Sequence, residues 1–161
     1  RYREDFYRGE PRQEIFQQAL AESMDICYNG NVFSVKDYEK LMKHYPEGSF
    51  GAVMIGRGLL ANPALIRELH GGASLKKEEL KQLHDQVLHA YRSIDFGERN
   101  TLFKLKELWN YWGTVFEEAD GYLKKIRKAN TYAEYLPAVS RLFEETDLTE
   151  THGFLPYAGG R

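Results

Sequence analysis

Cysteine, long apolar runs and net charge are all scarce in this sequence. The single cysteine among 161 residues, Cys27, excludes an internal disulfide framework and a cysteine-based metal site, and fits a reducing compartment, the cytoplasm by default. No apolar run approaches the ~20 residues of a membrane helix, and the polar opening RYREDFYRGE has no signal-peptide core. A formal charge of -2 and a pI near 6.2 exclude a global pull toward polyanions, so any nucleic-acid contact must rest on local patches. His44, His70, His84, His89 and His152 lack metal-ligand spacing with carboxylates or cysteine, and no metal is expected. Asp25, Asp37 and Glu39 have no pairing that singles out acid–base work. There is no initiator Met, and the start falls mid-pattern, so the chain is expected to be a piece of a longer protein.

What is present suffices for a core: 42% of the residues are apolar. RQEIFQQALAE places Ile15, Phe16, Ala19 and Leu20 at helical spacing, and the apolar run in MDICYNGN reads as a strand stopped at Asn29-Gly30. A helical period resumes through Val35, Tyr38, Leu41 and Met42. FGAVMI then reads as a second buried strand, and Asn62-Pro63 as the cap and first turn of a helix to about Leu69. Strands that alternate with helices and are apolar on both faces predict parallel βα units.

The texture changes from Ser74, which is expected to open a helix carrying Leu80, Leu83, Val87 and Tyr91. Leu102, Leu105, Trp109, Trp112 and Phe116 recur at three and four, the seam of a bundle, and further helices are expected over 120–129 and 131–145. Gly71-Gly72 marks the expected boundary between an α/β part, residues 1–72, and an all-helical part, 73–146, followed by a tail, 147–161.

Two turns carry the chemistry. Asn29-Gly30-Asn31 and Gly56-Arg57-Gly58 each end a predicted strand, and Asn29 and Gly56 are 27 residues apart, about one βα unit. In α/β barrels ligands bind at the C-terminal ends of the strands, and the last two loops often hold phosphate. Glycine lets backbone N–H groups approach phosphate oxygens, and arginine adds forked, charge-assisted hydrogen bonds. Taken singly, either motif also reads as an ordinary turn, and Arg57 as a solvated or structurally paired residue.

CYNGNVFSVKDYEKL followed by FGAVMIGRGLLANPALIREL resembles the C-terminal half of the flavin-binding barrel of tRNA-dihydrouridine synthases. RYREDFYRGEP is similar to that family's segment after a His-x-Arg motif, with Arg1 as the arginine and Tyr7-x-Gly9 as its later part. The resemblance covers residues 1 to 70 closely. From 76 to 145 it rests on architecture and a loose Lys106-x-Leu108-Trp109-x-Tyr111 match.

The resemblance implies the last βα units of a (β/α)8 TIM barrel, then a helical tRNA-binding domain, in an FMN-dependent enzyme that uses NADPH to reduce uridine to dihydrouridine. It implies a cytoplasmic protein, monomeric when intact, with Asn29, Gly30, Asn31, Gly56, Arg57 and Gly58 at the FMN phosphate. Asn31 departs from the acidic residue usual at that turn. The family's catalytic cysteine lies in an Asn-x-Gly-Cys-Pro segment that these residues do not contain, and Cys27, inside a strand, reads as a small buried hydrophobe. No catalytic residue is assigned, and the isolated chain is expected to be inactive.

Residues 99–128 hold seven basic side chains, Arg99, Lys104, Lys106, Lys124, Lys125, Arg127 and Lys128, against four acids. That surplus suits RNA phosphates, and with Arg1 these residues are the expected tRNA contacts. Lys104 and Lys106 are both expected to reach outward, while Trp109, Tyr111 and Trp112 read as core rather than as base platforms. GRGLLANPALIREL also resembles the late strand and helix of ene-reductase type FMN barrels, which carry no such helical tail; a non-catalytic helical interaction module is the alternative of another class.

Overall fold

A computed structural model describes residues 12–22, 26–94, 97–150 and 153–154. It is mostly helical, with one small parallel sheet. Helix α1 (Gln13–Glu22) leads to β1 (Cys27–Tyr28), α2 (Val35–His44) and β2 (Ala52–Val53). The strands pair in parallel, Cys27 opposite Ala52 and Tyr28 opposite Val53. Ser34 starts α2 through a reciprocal cap: its hydroxyl accepts from Asp37 N at 3.1 Å, and the Asp37 carboxylate accepts from Ser34 N at 3.1 Å. Asp37 is therefore engaged as a helix cap.

Tyr28, Val32, Leu41 and Tyr45 form the core of this part. Phe16 of α1 sets its ring edge-to-face on Tyr28 at 5.0 Å and on Tyr45 at 5.4 Å, an arrangement that suits the aromatic quadrupole. The strands are shorter and barer than their apolar runs predict. Each has two residues, Cys27 and Ala52 are exposed, and Met54 is 53% exposed. Cys27 is thus not a buried hydrophobe. A parallel strand buries both faces only when helices cover both, and among the described residues only the Tyr28–Val53 side is packed.

Two short helices follow β2, α3 (Arg57–Ala61) and α4 (Leu65–Leu69). The turn between them is tied by Asn62, whose Oδ1 accepts from Ala64 N at 2.9 Å. The helix expected from Asn62-Pro63 begins two residues later than a Pro63 start, and α3 occupies residues that read as a loop. Gly71, at φ +77°, ends α4: Gly71 N donates to Glu68 O and Gly72 N to Arg67 O, both at 2.9 Å. This double bond satisfies the last carbonyls, and the left-handed φ suits glycine.

Helices α5 (Lys77–Ser93), α6 (Glu98–Trp112), α7 (Asp120–Lys128) and α8 (Tyr132–Glu145) share a second core that includes Leu80, Leu105, Trp109, Ile126 and Leu142. Burying each such large apolar side chain contributes on the order of 1.5–3 kcal/mol. The first helix starts after Lys76, where Glu79 caps the Lys76 N–H at 3.0 Å, and not at Ser74. α6 stops at Trp112 and passes into a tight turn, Gly113–Val115. Phe116 nevertheless remains in the core, because the chain after α8 returns beside it. Phe116 pairs antiparallel with Leu148, Glu117 N donates to Asp147 O at 2.9 Å, and Thr149 N donates to Val115 O at 2.7 Å.

A polar chain crosses this core. Trp109 Nε1 donates to the Tyr135 hydroxyl at 2.7 Å, which lies 2.9 Å from His84 Nε2, and His84 Nδ1 lies 2.9 Å from the Asp85 carboxylate. The sequence of partners orients the protons: the Tyr135 hydroxyl donates to Nε2, and Nδ1–H donates to Asp85. Burial lowers the His84 pKa against the opposing pull of Asp85, so the ring is held neutral. No described helix is long and apolar enough to cross a membrane.

Candidate functional site

Because β1 and β2 run parallel, their following loops emerge at the same end, and a hydrogen bond joins them. Arg57 Nη2 donates to Asn31 Oδ1 at 2.8 Å across 26 positions of chain. The two glycine-containing turns singled out in the sequence are therefore one place in space. Arg57 is half-buried at the first position of α3, with its guanidinium carbon 5.9 Å from the centroid of Phe33 and 5.9 Å from that of Phe154. Asn29 is exposed, and Gly30 and Asn31 are half-buried.

The three flanking glycines answer to different causes. A Cβ on Gly58 would stand 1.9 Å from the Val32 carbonyl oxygen, so α3 can lie against the first turn only without a side chain there. A Cβ on Gly30 would meet the Tyr28 hydroxyl at 2.3 Å. Gly56 differs: its φ of -94° is open to any residue, and a Cβ there would meet nothing within 4 Å. Neither packing nor backbone conformation requires glycine at 56, which leaves clear approach to the backbone beside Arg57.

Behind the site, buried Asn62 donates from Nδ2 to Glu68 Oε2 at 2.8 Å, and Glu68 Oε1 accepts from Leu75 N at 2.9 Å. Arg67 grips Glu79 through two bonds, 2.7 and 2.8 Å, and donates from Nε to Ala73 O at 2.9 Å. The hydrogen bond from Arg67, then the bond from Lys76 N, hold the Glu79 carboxyl down at about 2. These bonds fasten the junction between α4 and α5, and α3 itself packs against α6. Nothing in the local sequence marks Phe33, Glu68 or Phe154 for this site, and Asn62, before Pro63, reads there only as a helix cap.

The basic residues do not form one set. Arg99, Lys104, Lys124, Lys125 and Lys128 are exposed. Lys104 also pairs with Glu107 at 3.5 Å, and Lys125 lies 5.9 Å from the Tyr122 ring centroid. Arg127 is half-buried, its Nε enclosed without a hydrogen-bond partner. Lys106 corrects the outward reading: its ammonium turns inward and donates to the Ala129 carbonyl at the end of α7, and burial lowers its pKa. A lysine four residues along from a seam position has a stem long enough to reach a neighbouring helix end. Lys125, Lys128 and Arg141 line a shallow groove between α7 and α8; Arg141 lies on α8, beyond the basic segment 99–128. Lys125, Arg127 and Lys128 also occupy the last turn of α7, where cations favourably meet the helix dipole. Arg1 lies outside the described residues.

Trp109 and Trp112 are buried, as their spacing predicts, and Tyr111 is half-buried. His84 is buried and His89 exposed: five residues apart on one helix, they project from different faces. Among the described residues no group of three or more His, Cys, Asp or Glu side chains could hold a metal ion.

A protein-family model described as dihydrouridine synthase matches residues 1–154 of the chain. No curated protein and no solved structure matches it.

Proposed function

Since the chain belongs to the dihydrouridine synthase family, oxidoreductases that act on tRNA, we propose that the joined turns hold the phosphate of FMN in an enzyme that reduces tRNA uridine with NADPH. The observation that carries this reading is the Arg57–Asn31 bond between the loops of two adjacent parallel strands. Arg57 keeps its positive charge at any working pH, and Asn31, being neutral, orients that charge without cancelling it. The open space at Gly56 admits phosphate oxygens toward the backbone N–H groups of the second turn, and the Asn31–Arg57 bond brings the first turn beside it. The donor set therefore fits a phosphate group.

In this reading β1 and β2 are late strands of a TIM barrel, with residues 1–72 its C-terminal portion, 73–146 a helical tRNA-binding domain and 147–161 a tail. Arg57, Asn31 and the two turns would hold FMN, which would supply hydride chemistry for uridine reduction with NADPH as the reductant. These residues anchor the cofactor and do not supply the proton: Cys27 sits in β1, is followed by Tyr28, and belongs to no Asn-x-Gly-Cys-Pro segment. The 161 residues alone are accordingly expected not to form dihydrouridine. The exposed basic side chains of α6 and α7 suit the tRNA backbone. The reading places the protein in the cytoplasm, whose reducing conditions suit an exposed, unpaired Cys27.

The test is flavin binding by the full-length protein, compared between FMN and riboflavin. Arg57→Ala is expected to weaken FMN by about 1.5–3 kcal/mol, the range for hydrogen bonds to charged groups, and to leave riboflavin affinity unchanged. Equal FMN affinity in the variant and the natural protein would remove the phosphate assignment.

A further inference from the structure

The chain beyond α8 reaches the same arginine from the other side. Thr114, in the tight turn after α6, donates its hydroxyl to Tyr111 O at 2.7 Å and accepts from Gly153 N at 3.0 Å. The next residue, Phe154, sets its ring 4.9 Å from that of Tyr111 and 5.9 Å from the Arg57 guanidinium carbon. Upstream, the pairing of Leu148 with Phe116 and the bond from Thr149 N to Val115 O fix the return path. Lys36 on α2 meets Glu150 at 3.4 Å, although both side chains are largely exposed and this pair adds little.

We infer that Phe154 is a positioning residue for Arg57, and that through it the segment after α8 couples the helical core to the phosphate-binding turns. This rests on the phosphate reading above. Arginine loses side-chain rotamer freedom when it is ordered on a ligand. A guanidinium that already lies 5.9 Å from the ring centroids of Phe33 and Phe154 and bonds the Asn31 amide has much of that freedom removed beforehand, which strengthens binding without a new contact to the ligand. Phe33 belongs to the first turn and comes with the site. Phe154 does not: its place is set by Tyr111 and Thr114, at the end of a helix whose other residues are packed in the second core. The orientation of Arg57 therefore depends on the helical part being assembled.

The experiment is an FMN titration, followed by flavin fluorescence, of the full-length protein and four variants: Phe154→Ala, Phe154→Tyr, Arg57→Ala and the Arg57→Ala/Phe154→Ala double. Phe154→Ala is expected to weaken FMN on the order of 3- to 10-fold, the factor carried by a cation–π contact of ordinary strength. Phe154→Tyr is expected to retain the natural affinity. In the Arg57→Ala background the loss of Phe154 is expected to change nothing further, because its effect passes through that side chain. If Arg57→Ala weakens binding and Phe154→Ala does not, or if the two losses simply add, the positioning role is overturned and the phosphate reading survives. If Arg57→Ala has no effect, the phosphate reading fails and the positioning role fails with it. A loss in Phe154→Ala that Phe154→Tyr does not rescue, with a lowered melting temperature of the flavin-free protein, also overturns it.

Discussion

The Val32 carbonyl oxygen and the Cα of Gly58 lie so close that a Cβ on residue 58 would stand 1.9 Å from that oxygen. The clash is with backbone, so it cannot be relieved by a change of side-chain rotamer. Gly58→Ala is expected to separate the two turns and destabilise the protein by about 1–3 kcal/mol, the usual cost of overpacking. Gly56→Ala, where space is open and φ is -94°, is expected to leave stability within about 0.5 kcal/mol while weakening FMN. Denaturant unfolding read beside flavin titration separates the two, and equal stability of both variants would contradict the assignment of Gly58 to packing.

His84 makes stability depend on pH. Burial holds its folded-state pKa below the ordinary 6.5, with Asp85 opposing and Lys81 adding to the fall. As pH drops below the unfolded value the unfolded chain takes up a proton that the folded chain refuses, so stability falls; above it this group contributes no slope. Denaturation midpoints measured from about pH 5 to about pH 8 should therefore rise and level off, and His84→Gln should flatten the lower part. An identical profile in that variant would show that His84 is not the titrating group.

Tyr135→Phe tests the same polar chain at neutral pH. It removes the acceptor of Trp109 Nε1–H and the donor to His84 Nε2, leaving two buried polar groups unpaired. The expected loss is about 1–3 kcal/mol for an unsatisfied buried group, measured by urea unfolding, without any effect on flavin affinity.

At the junction, the Glu79 carboxyl is held at about 2 by its hydrogen bond from Arg67 and by Lys76 N. Its contribution is present above the ordinary carboxylate range and is lost as pH falls through the folded value. Both side chains are some two-fifths exposed, at 43% and 39%, so solvent and salt screen the pair. Glu79→Gln is expected to lose stability less steeply in acid and to speed amide exchange at Leu75 and Lys76. Unchanged exchange would mean that the Asn62–Glu68 bonds alone hold the junction.

Lys106 and the exposed lysines of α7 should separate in function. Lys106→Met is expected to cost about 1.5–3 kcal/mol through loss of its charge-assisted bond to Ala129 O, with the salt dependence of tRNA binding unchanged. Replacing Lys124, Lys125 and Lys128 together by Gln should lower the slope of log K against log salt by roughly 0.7–0.9 for each phosphate contact removed, with little change in folding stability. A slope unaltered by the triple change would assign these charges to the helix dipole and solvent.

Local pattern was enough to read much of the architecture. Alternating apolar runs and helical periods carry the βα order, the period that runs out near Leu69 carries the end of α4, and the Trp109–Trp112 spacing carries the seam, because each depends on residues within a turn or two of one another. The equivalent turns at 29–31 and 56–58 were legible for the same reason: each is a short motif at a strand end. What local pattern cannot fix is what lies across from a residue once the chain has folded. Cys27 is exposed, rather than buried, because burial of a strand depends on which elements cover its faces. Lys106 faces inward because the end of α7 comes within reach of its stem, and Gly58 is required by a carbonyl 26 positions earlier. Phe154 meets Arg57 only because the chain after α8 turns back along α6. Those contacts join residues distant in sequence, and only the packed tertiary structure brings them within the few ångströms over which hydrogen bonds, ring contacts and steric exclusion act.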